Sequence, residues 1–213
     1  MSKNPQVEVT GWEARYYDFF INIISLGRYK YFLRRVIMEL QLPSQGNVMD
    51  LGAGTGRMAE LVLNQLDQNS RFYALEIGKE MINHLTKLQQ KDPRLIIIPQ
   101  RIDEPFLLPE PIDLTLISFV LHGLKQTQRM KVIENVYTNL RTGGKFCILD
   151  YNSFAIDQSP WYIRFAIRQL ECEPTEDFIA RDWPTLLTEH GFSHIHIRYH
   201  FKNYIRLLCC VKN

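Results

Sequence analysis

The residues best suited to chemistry form a glycine-rich loop early in the chain. Residues 47–51 are largely apolar and end in Asp50-Leu51, and Gly52-Ala53-Gly54-Thr55-Gly56 follows at once, before a segment with helical character. Glycines at this spacing let the backbone turn sharply and approach a ligand closely. The helix that follows presents unpaired N–H groups and a positive dipole end to an anionic group of that ligand. Asp50, at the strand end, is placed to meet a cationic group.

The spacing of these glycines distinguishes between two classes of cofactor. Nicotinamide dinucleotide sites use Gly-x-Gly-x-x-Gly. Here the third glycine, Gly56, comes one residue early, and Arg57 stands where that motif has glycine. A nicotinamide-dependent oxidoreductase is therefore disfavoured, and tight NAD binding would reverse this choice.

An acidic residue, Glu76, ends the second apolar segment at residues 71–76. If that segment is a strand beside the first, its end faces the same crevice as the loop. A carboxylate there can accept two charge-assisted hydrogen bonds from the hydroxyls of a ribose. The alternative is a solvated glutamate, and the neighbouring loop favours the ribose role.

Together the loop and Glu76 resemble the cofactor site of class I S-adenosylmethionine (SAM) methyltransferases. The resemblance covers roughly residues 12–150 and, more loosely, the closing strands. Within the class, the chain is similar to the subgroup that includes the ubiquinone and menaquinone biosynthesis C-methyltransferases. Tyr17-Asp18 followed by Ser25-Leu26-Gly27 is similar to that subgroup's N-terminal stretch, and residues 76–81 match its segment after the ribose acid.

This resemblance implies SAM as the cofactor. Its carboxylate would lie at the helix start, its amino group near Asp50 and its adenine against Met81. The family often has an adenine-contacting acid after strand three, where this chain has Gln100-Arg101-Ile102-Asp103, and which of these residues faces adenine stays open. The implied cofactor-binding residues are Tyr17, Asp50, Gly52, Ala53, Gly54, Thr55, Gly56, Glu76, Ile77, Met81, Arg101, Ile102 and Ser118.

The acceptor is expected beyond strand four, near residues 118–123. The quinone enzymes carry an Arg-Asn pair there, whereas this chain has His122-Gly123. A histidine can act as a base near neutral pH, so His122 is the candidate catalytic residue. The alternative is a hydrogen-bonded residue at a strand end, and the sequence identifies no partner for the ring.

Composition excludes several other classes of function. The chain has 213 residues, 46% of them apolar, and a net charge of +2, so no basic excess points to nucleic acid. Four cysteines without a Cys-x-x-Cys motif suggest reduced thiols and, with no apolar signal core, a cytoplasmic protein. His194 and His196 alternate with isoleucines, which favours a half-solvated strand, so no metal is expected.

Apolar segments and helical patterns alternate along the chain. Uniformly apolar strands indicate a parallel sheet buried on both faces, and the short connection between the last two predicts an antiparallel pair. The predicted fold is α/β, a doubly wound, seven-stranded, Rossmann-like sheet, mostly parallel, with an antiparallel C-terminal strand pair. Strands are predicted at residues 47–51, 71–76, 95–98, 112–119, 145–149, 192–200 and 204–211, and helices at 57–66, 79–90, 126–140, 161–170 and 183–190.

One domain is expected over residues 1–213, with a helical cap at 12–40 and an acceptor lid at 151–190. Trp161, Tyr162 and Phe165 beside Arg164 and Arg168 would form a wall for a flat or apolar acceptor, and membrane contact is the less favoured role. The expected function is methyl transfer to a small apolar or aromatic acceptor, quinone-like C-methylation included. The alternatives are N- or O-methylation of a phospholipid or other small molecule, and a SAM-binding scaffold without turnover. The oligomeric state stays open.

Overall fold

A computed structural model describes residues 29–165, 167–168 and 174–213 of the chain. The predicted cap residues 12–28, with Tyr17, and residues 166 and 169–173 of the predicted lid, with Cys172, lie outside the described residues. Within the described residues, no helix is long and apolar enough to cross a membrane.

The described strands and helices alternate up to the fifth strand, except that the fourth strand follows the third with no helix between the two. They are α1 Tyr29–Leu40, β1 Val48–Leu51, α2 Arg57–Leu63, β2 Phe72–Leu75, α3 Lys79–Gln89, β3 Leu95–Ile98, β4 Ile112–Ser118, α4 Gln126–Asn139, β5 Leu140–Tyr151, α5 Trp161–Phe165, α6 Pro174–Ile179, α7 Trp183–Glu189, β6 Phe192–His200 and β7 Ile205–Lys212. Two short 3-10 turns, Leu121–Gly123 and Ile156–Gln158, complete the set.

All seven predicted strands form one sheet in the order β3-β2-β1-β4-β5-β7-β6. The first five run parallel, and β7 pairs antiparallel with both β5 and β6, which confirms the predicted architecture. The strand order reverses between β1 and β4. In open α/β sheets the crevice at such a reversal, beyond the carboxyl ends of the strands, is where ligands bind.

Apolar clusters cover both faces of the sheet, because successive strand residues point to opposite sides. On one face Met49 and Leu51 of β1 pack with residues of α4, α6 and α7. On the other face Val48 packs with residues of α1, α2 and α3. This double cover explains why the strands read as continuous apolar runs.

Several boundaries differ from the sequence predictions, notably the end of α2, at Leu63 rather than residue 66, and the junction between α4 and β5. The helix expected to run to residue 140 ends at Asn139, and β5 begins at Leu140 rather than at residue 145. Gly143 has a φ of 75° inside this strand, where the pairing with β4 is irregular, so the two glycines bend the strand instead of preceding it. The short helix α6 was not predicted, since Pro174–Ile179 is too brief to show a clear period.

The cysteines also differ from expectation. Cys147 and Cys209 stand directly opposite each other in the β5–β7 pairing and form a disulfide, where reduced thiols were expected. The sequence does not give the strand register that brings them together. Cys210 points to the opposite face of the sheet, and burial raises the pKa of its thiol to about 12.

Candidate active site

The glycine loop joins β1 to α2. It packs between the end of β2 and the turn that follows β4. The amides of Gly52 and Ala53 donate to the carbonyl of Leu75 at 2.9 and 3.0 Å, which fixes the loop beside the end of β2. On the other side Gly52, with a φ of 75°, lies against Val120; a Cβ there would be 2.7 Å from Val120 Cγ2. Gly54, with a φ of 55°, has open space where a Cβ would lie. The loop is therefore tightly packed at its start and open at its middle.

Glu76 lies directly beside this loop. One carboxylate oxygen accepts a hydrogen bond from the Gly54 amide at 2.9 Å, and the other accepts from the amides of Ile77 and Gly78 at 2.8 and 2.9 Å. A carboxylate offers about four acceptor positions, so Glu76 keeps capacity for further donors. Glu76 thus lies beside the loop, as predicted, and its hydrogen bond from Gly54 also holds the loop in position.

Asp50 is buried at the end of β1, with 1% of its surface exposed. Neither carboxylate oxygen has a hydrogen-bond partner among the described residues. Burial, and then the charge of Glu76, raise the pKa of Asp50 to about 7. An unpaired buried carboxylate is costly, and a ligand ammonium group would satisfy it. This orphaned carboxylate fits the amino group of SAM.

The remaining predicted cofactor residues fall into two groups. Met81 lies at the start of α3 near Gly78 and Glu76, and Ile77, Thr55 and Ser118 are half-buried at strand or loop ends. Arg101 is instead held by Asp103 at 2.9 Å and Glu104 at 3.4 Å. Ile102 packs against the core on the α4 side. Which residue of 100–103 contacts adenine stays a prediction.

His122 lies in the turn after β4 and is largely buried, with 11% of its side chain exposed. Its Nδ1 is 2.8 Å from Oδ1 of Asp150, near the end of β5. Asp150 also accepts from the backbone amides of His122, at 3.2 Å, and Tyr151, at 2.8 Å. A carboxylate in this position fixes the ring's orientation and places its proton on Nδ1, so that Nε2 is the basic nitrogen.

Aromatic rings surround this pair. Tyr151 and Phe178 stand edge-on to the His122 ring at centroid distances of 5.1 and 6.5 Å. Phe119, directly after β4, has a φ of 54°, which is unusual for a residue with a side chain and redirects the chain toward the turn. The His122–Asp150 pair therefore lies in apolar, aromatic surroundings.

Several of these residues were not singled out from the sequence. Asp150 lies 28 residues from His122, and only the β4–β5 register brings the two together. The only sequence signal for Asp150 is that it is an acidic residue ending an apolar strand, the same signal that identified Asp50 and Glu76. Phe178 and the fully buried Arg129 carried no signal.

The predicted lid aromatics on α5 are largely exposed: Trp161 is 72%, Tyr162 49% and Phe165 55% exposed. Arg168 pairs with Asp157 at 2.8 Å and with Glu176 at 3.3 Å, and Arg164 donates to the Asp157 carbonyl. These contacts do not bring the α5 aromatics to His122, so their role as an acceptor wall stays a prediction. Among the described residues, no group of three or more metal-ligating side chains comes together.

Comparisons with known proteins agree with this geometry. A family described as a methyltransferase domain matches residues 49–146. The chain is 25% identical to an uncharacterized methyltransferase of Staphylococcus carnosus over 67% of this chain, and 26% identical to the ubiquinone/menaquinone biosynthesis C-methyltransferase UbiE of Hydrogenovibrio crunogenus over 64% of it. The matches span 60% and 54% of the lengths of these two relatives.

Solved structures show the same fold. The glycopeptide N-methyltransferase MtfA has a TM-score of 0.65 and 19% identity, over 86% of this chain and 90% of that one. The same enzyme in complex with SAM gives a TM-score of 0.64 at 18% identity, over 86% and 87% of the two chains. A SAM-dependent methyltransferase from Aquifex aeolicus gives 0.61 at 17% identity, over 84% and 89%. Residues 49–146 thus match a methyltransferase domain, and the chain shares the fold of these solved methyltransferases.

Proposed function

We propose that this chain transfers the methyl group of SAM to a small apolar or aromatic acceptor that must lose a proton. The observation that carries the proposal is the pair formed by His122 and Asp150 among aromatic rings at the end of β4. A base is needed where the acceptor atom bears an acidic proton, as in a phenol or hydroquinone. A neutral amine attacks without prior loss of a proton.

The cofactor would be held by groups at the ends of β1 and β2. Asp50 would pair with its ammonium group, Glu76 would accept from its ribose hydroxyls, and the start of α2 would face its carboxylate. Met81 would pack on the adenine. When bound, SAM supplies an electrophilic methyl carbon, and its sulfur leaves with the bonding electron pair.

The chain's own residues would align the acceptor and remove its proton. The half-buried Tyr151 would flank a flat ring, and the fully buried Phe178 would pack against the His122 ring and exclude water from it. His122 Nε2 would take the acceptor proton as the new bond to the methyl carbon forms, while Asp150 stabilises the imidazolium. The UbiE relative is named as a C-methyltransferase of quinone biosynthesis, which supports, by analogy, an aromatic acceptor for this chain.

The test uses methyl-labelled SAM with fractionated cell extract and with a panel of phenols, hydroquinones and amines. Substitution of His122 by Gln is expected to lower turnover of the identified acceptor by about 100-fold, the usual contribution of a general base, with SAM affinity unchanged. His196→Gln, an exposed histidine on β6, is the matched control and should retain full turnover. Full activity in His122→Gln would remove the residue from the mechanism.

Two other outcomes would point to other functions. Labelled product found only among phospholipid amines would favour lipid methylation, for which the exposed aromatic residues of α5 provide a contact surface. SAM binding without labelled product in any fraction would indicate a SAM-binding scaffold.

A further inference from the structure

Arg129 lies on α4 beneath the His122 turn, and none of its surface is exposed. Burying a guanidinium is costly unless its N–H groups are paired, and burial does lower the pKa of Arg129. The side chain has five N–H donors. Its contacts match that capacity: Nε donates to the Leu121 carbonyl at 2.9 Å, and the terminal nitrogens donate to four further acceptors.

Four of these five acceptors belong to two separate parts of the site, and the fifth, the Gln126 side chain, lies on α4 itself. The carbonyls of Leu121 and His122, at 2.9 and 3.2 Å, form the turn that carries the candidate base. The Pro174 carbonyl, at 2.8 Å, and the Asp177 carboxylate, at 2.6 Å, belong to the lid helix α6. The guanidinium carbon also lies 5.2 Å from the ring centroid of Phe178, which stands edge-on to His122. A single buried cation thus spans the turn and the lid helix.

We propose that Arg129 is a positioning residue that holds the His122 turn and α6 as one unit, so that the base and the lid wall of the acceptor site move together. The functional part of this inference rests on the proposed role of His122. Its physical basis is that loss of the guanidinium would leave buried carbonyls on both elements unpaired at the same time. A lysine could not replace it, because an ammonium on a flexible stem cannot reach acceptors arranged around a planar fork.

The test compares four proteins without needing an acceptor: wild type, Arg129→Lys, Asp177→Asn and Arg181→Gln. Arg181 also pairs with Asp177, at 2.6 Å, whereas the carbonyls of Leu121 and His122 accept from Arg129, so Arg181 is the matched control. Amide hydrogen exchange reports on residues 121–123 and 174–179, and the ¹⁵N shifts of the His122 ring report its tautomer. SAM affinity is measured alongside.

Arg129→Lys is expected to accelerate exchange about tenfold in both segments together, because buried carbonyls on each lose their partners. It should also shift the His122 ring signals toward a mixture of tautomers while SAM affinity is retained. Asp177→Asn should accelerate exchange at 174–179 more than Arg181→Gln does and leave 121–123 unchanged. Arg181→Gln should leave 121–123 and the His122 signals as in wild type.

Faster exchange in only one segment of Arg129→Lys, or unchanged His122 signals, would overturn the proposal. If Arg129→Lys does not fold, Asp177→Asn decides: exchange at 174–179 no faster than in Arg181→Gln would also overturn it. Absence of methyl transfer with every acceptor would contradict the proposed function but would leave these exchange and tautomer results to stand independently.

Discussion

At the scale of a single residue, the surroundings of Asp50 predict how the stability of the protein depends on pH. Its carboxyl is enclosed at the end of β1, without a hydrogen-bond partner among the described residues. Burial raises its pKa to about 7, from 3.8. Ligand-free protein near neutral pH therefore holds this group partly protonated, and a bound ammonium would favour the ionised form.

Substitution of Asp50 by Asn should flatten part of the pH dependence of stability. In the unfolded chain the carboxyl loses its proton near pH 4, whereas the folded chain keeps it to about pH 7. The folded state therefore binds more protons in this window, and the stability from this group is lost as pH rises from 4 to 7. The ceiling for this loss is about 4 kcal/mol. Relative to wild type, Asp50→Asn should gain stability from pH 4 to pH 8, measured by urea unfolding.

The control for this prediction is Asp157→Asn, since the Asp157 side chain is 83% exposed. The free energy of unfolding of Asp157→Asn should change with pH as that of the wild type does. Asp50→Asn should also weaken SAM binding, because the neutral amide cannot pair ionically with the ammonium group. An Asp50→Asn protein with the pH profile of wild type would show that the buried carboxyl does not titrate as stated.

Sequence reasoning at the residue scale succeeded where local spacing carries the information. Asp50 and Glu76 are acids at the ends of apolar segments next to a glycine loop, and both lie where that pattern places them. Asp150 and Arg129 could not be identified, because their roles depend on partners 28 and 48 residues away. Such contacts depend on strand register and helix packing, which no local pattern encodes.

At the scale of elements, the loop after β1 and the turn after β4 are packed against each other. Gly52 has a φ of 75°, and a Cβ would meet Val120 Cγ2 at 2.7 Å. Gly143, on β5, also has a φ of 75°, but the nearest atom to its Cβ position is Arg141 Nη1 at 3.7 Å. Both glycines have a positive φ that disfavours other residues, but only Gly52 has a neighbouring side chain that an added Cβ would clash with.

Gly52→Ala and Gly143→Ala should therefore have different effects. Both pay the cost of a left-handed backbone, about 1–2 kcal/mol, which lowers the melting temperature. Only Gly52→Ala should also weaken SAM binding, because the methyl group displaces Val120 or the loop itself. Calorimetric titration with SAM measures the difference. Equal SAM affinity in the two variants would mean that the contact with Val120 does not set the loop's position.

The elements themselves were largely predictable, and the exceptions have physical causes. Seven apolar segments and the long helices follow from periodicity, and helix α1, Tyr29–Leu40, lies within the predicted helical cap at 12–40. The short helix α6 did not follow because it is too brief for a period, and the positive φ of Phe119 did not follow because phenylalanine rarely adopts it. The site therefore departs from the sequence prediction mainly where its elements are short or strained.

At the scale of the whole molecule, the closing strand pair completes the structure around the site. The matched methyltransferase domain ends at residue 146, within β5, whereas β7 pairs with β5 from Lys145 to Tyr151. Residues of β6 and β7 enter both apolar clusters: Phe192 and Leu208 on one face, Ile205 and Leu207 on the other. Without the pair, β5, which carries Asp150, would become an exposed edge strand.

A chain truncated after Gly191 is therefore expected not to fold cooperatively, although every described candidate site residue precedes the cut. Four buried apolar side chains at roughly 1.5–3 kcal/mol each amount to roughly 6–12 kcal/mol. This is about the size of the whole net stability of a domain, roughly 5–15 kcal/mol. Urea unfolding followed by circular dichroism, with the full chain as reference, measures the outcome. A truncated protein with a cooperative transition and intact SAM binding would show instead that the first five strands form a self-sufficient unit, with β6 and β7 serving only to cover its edge.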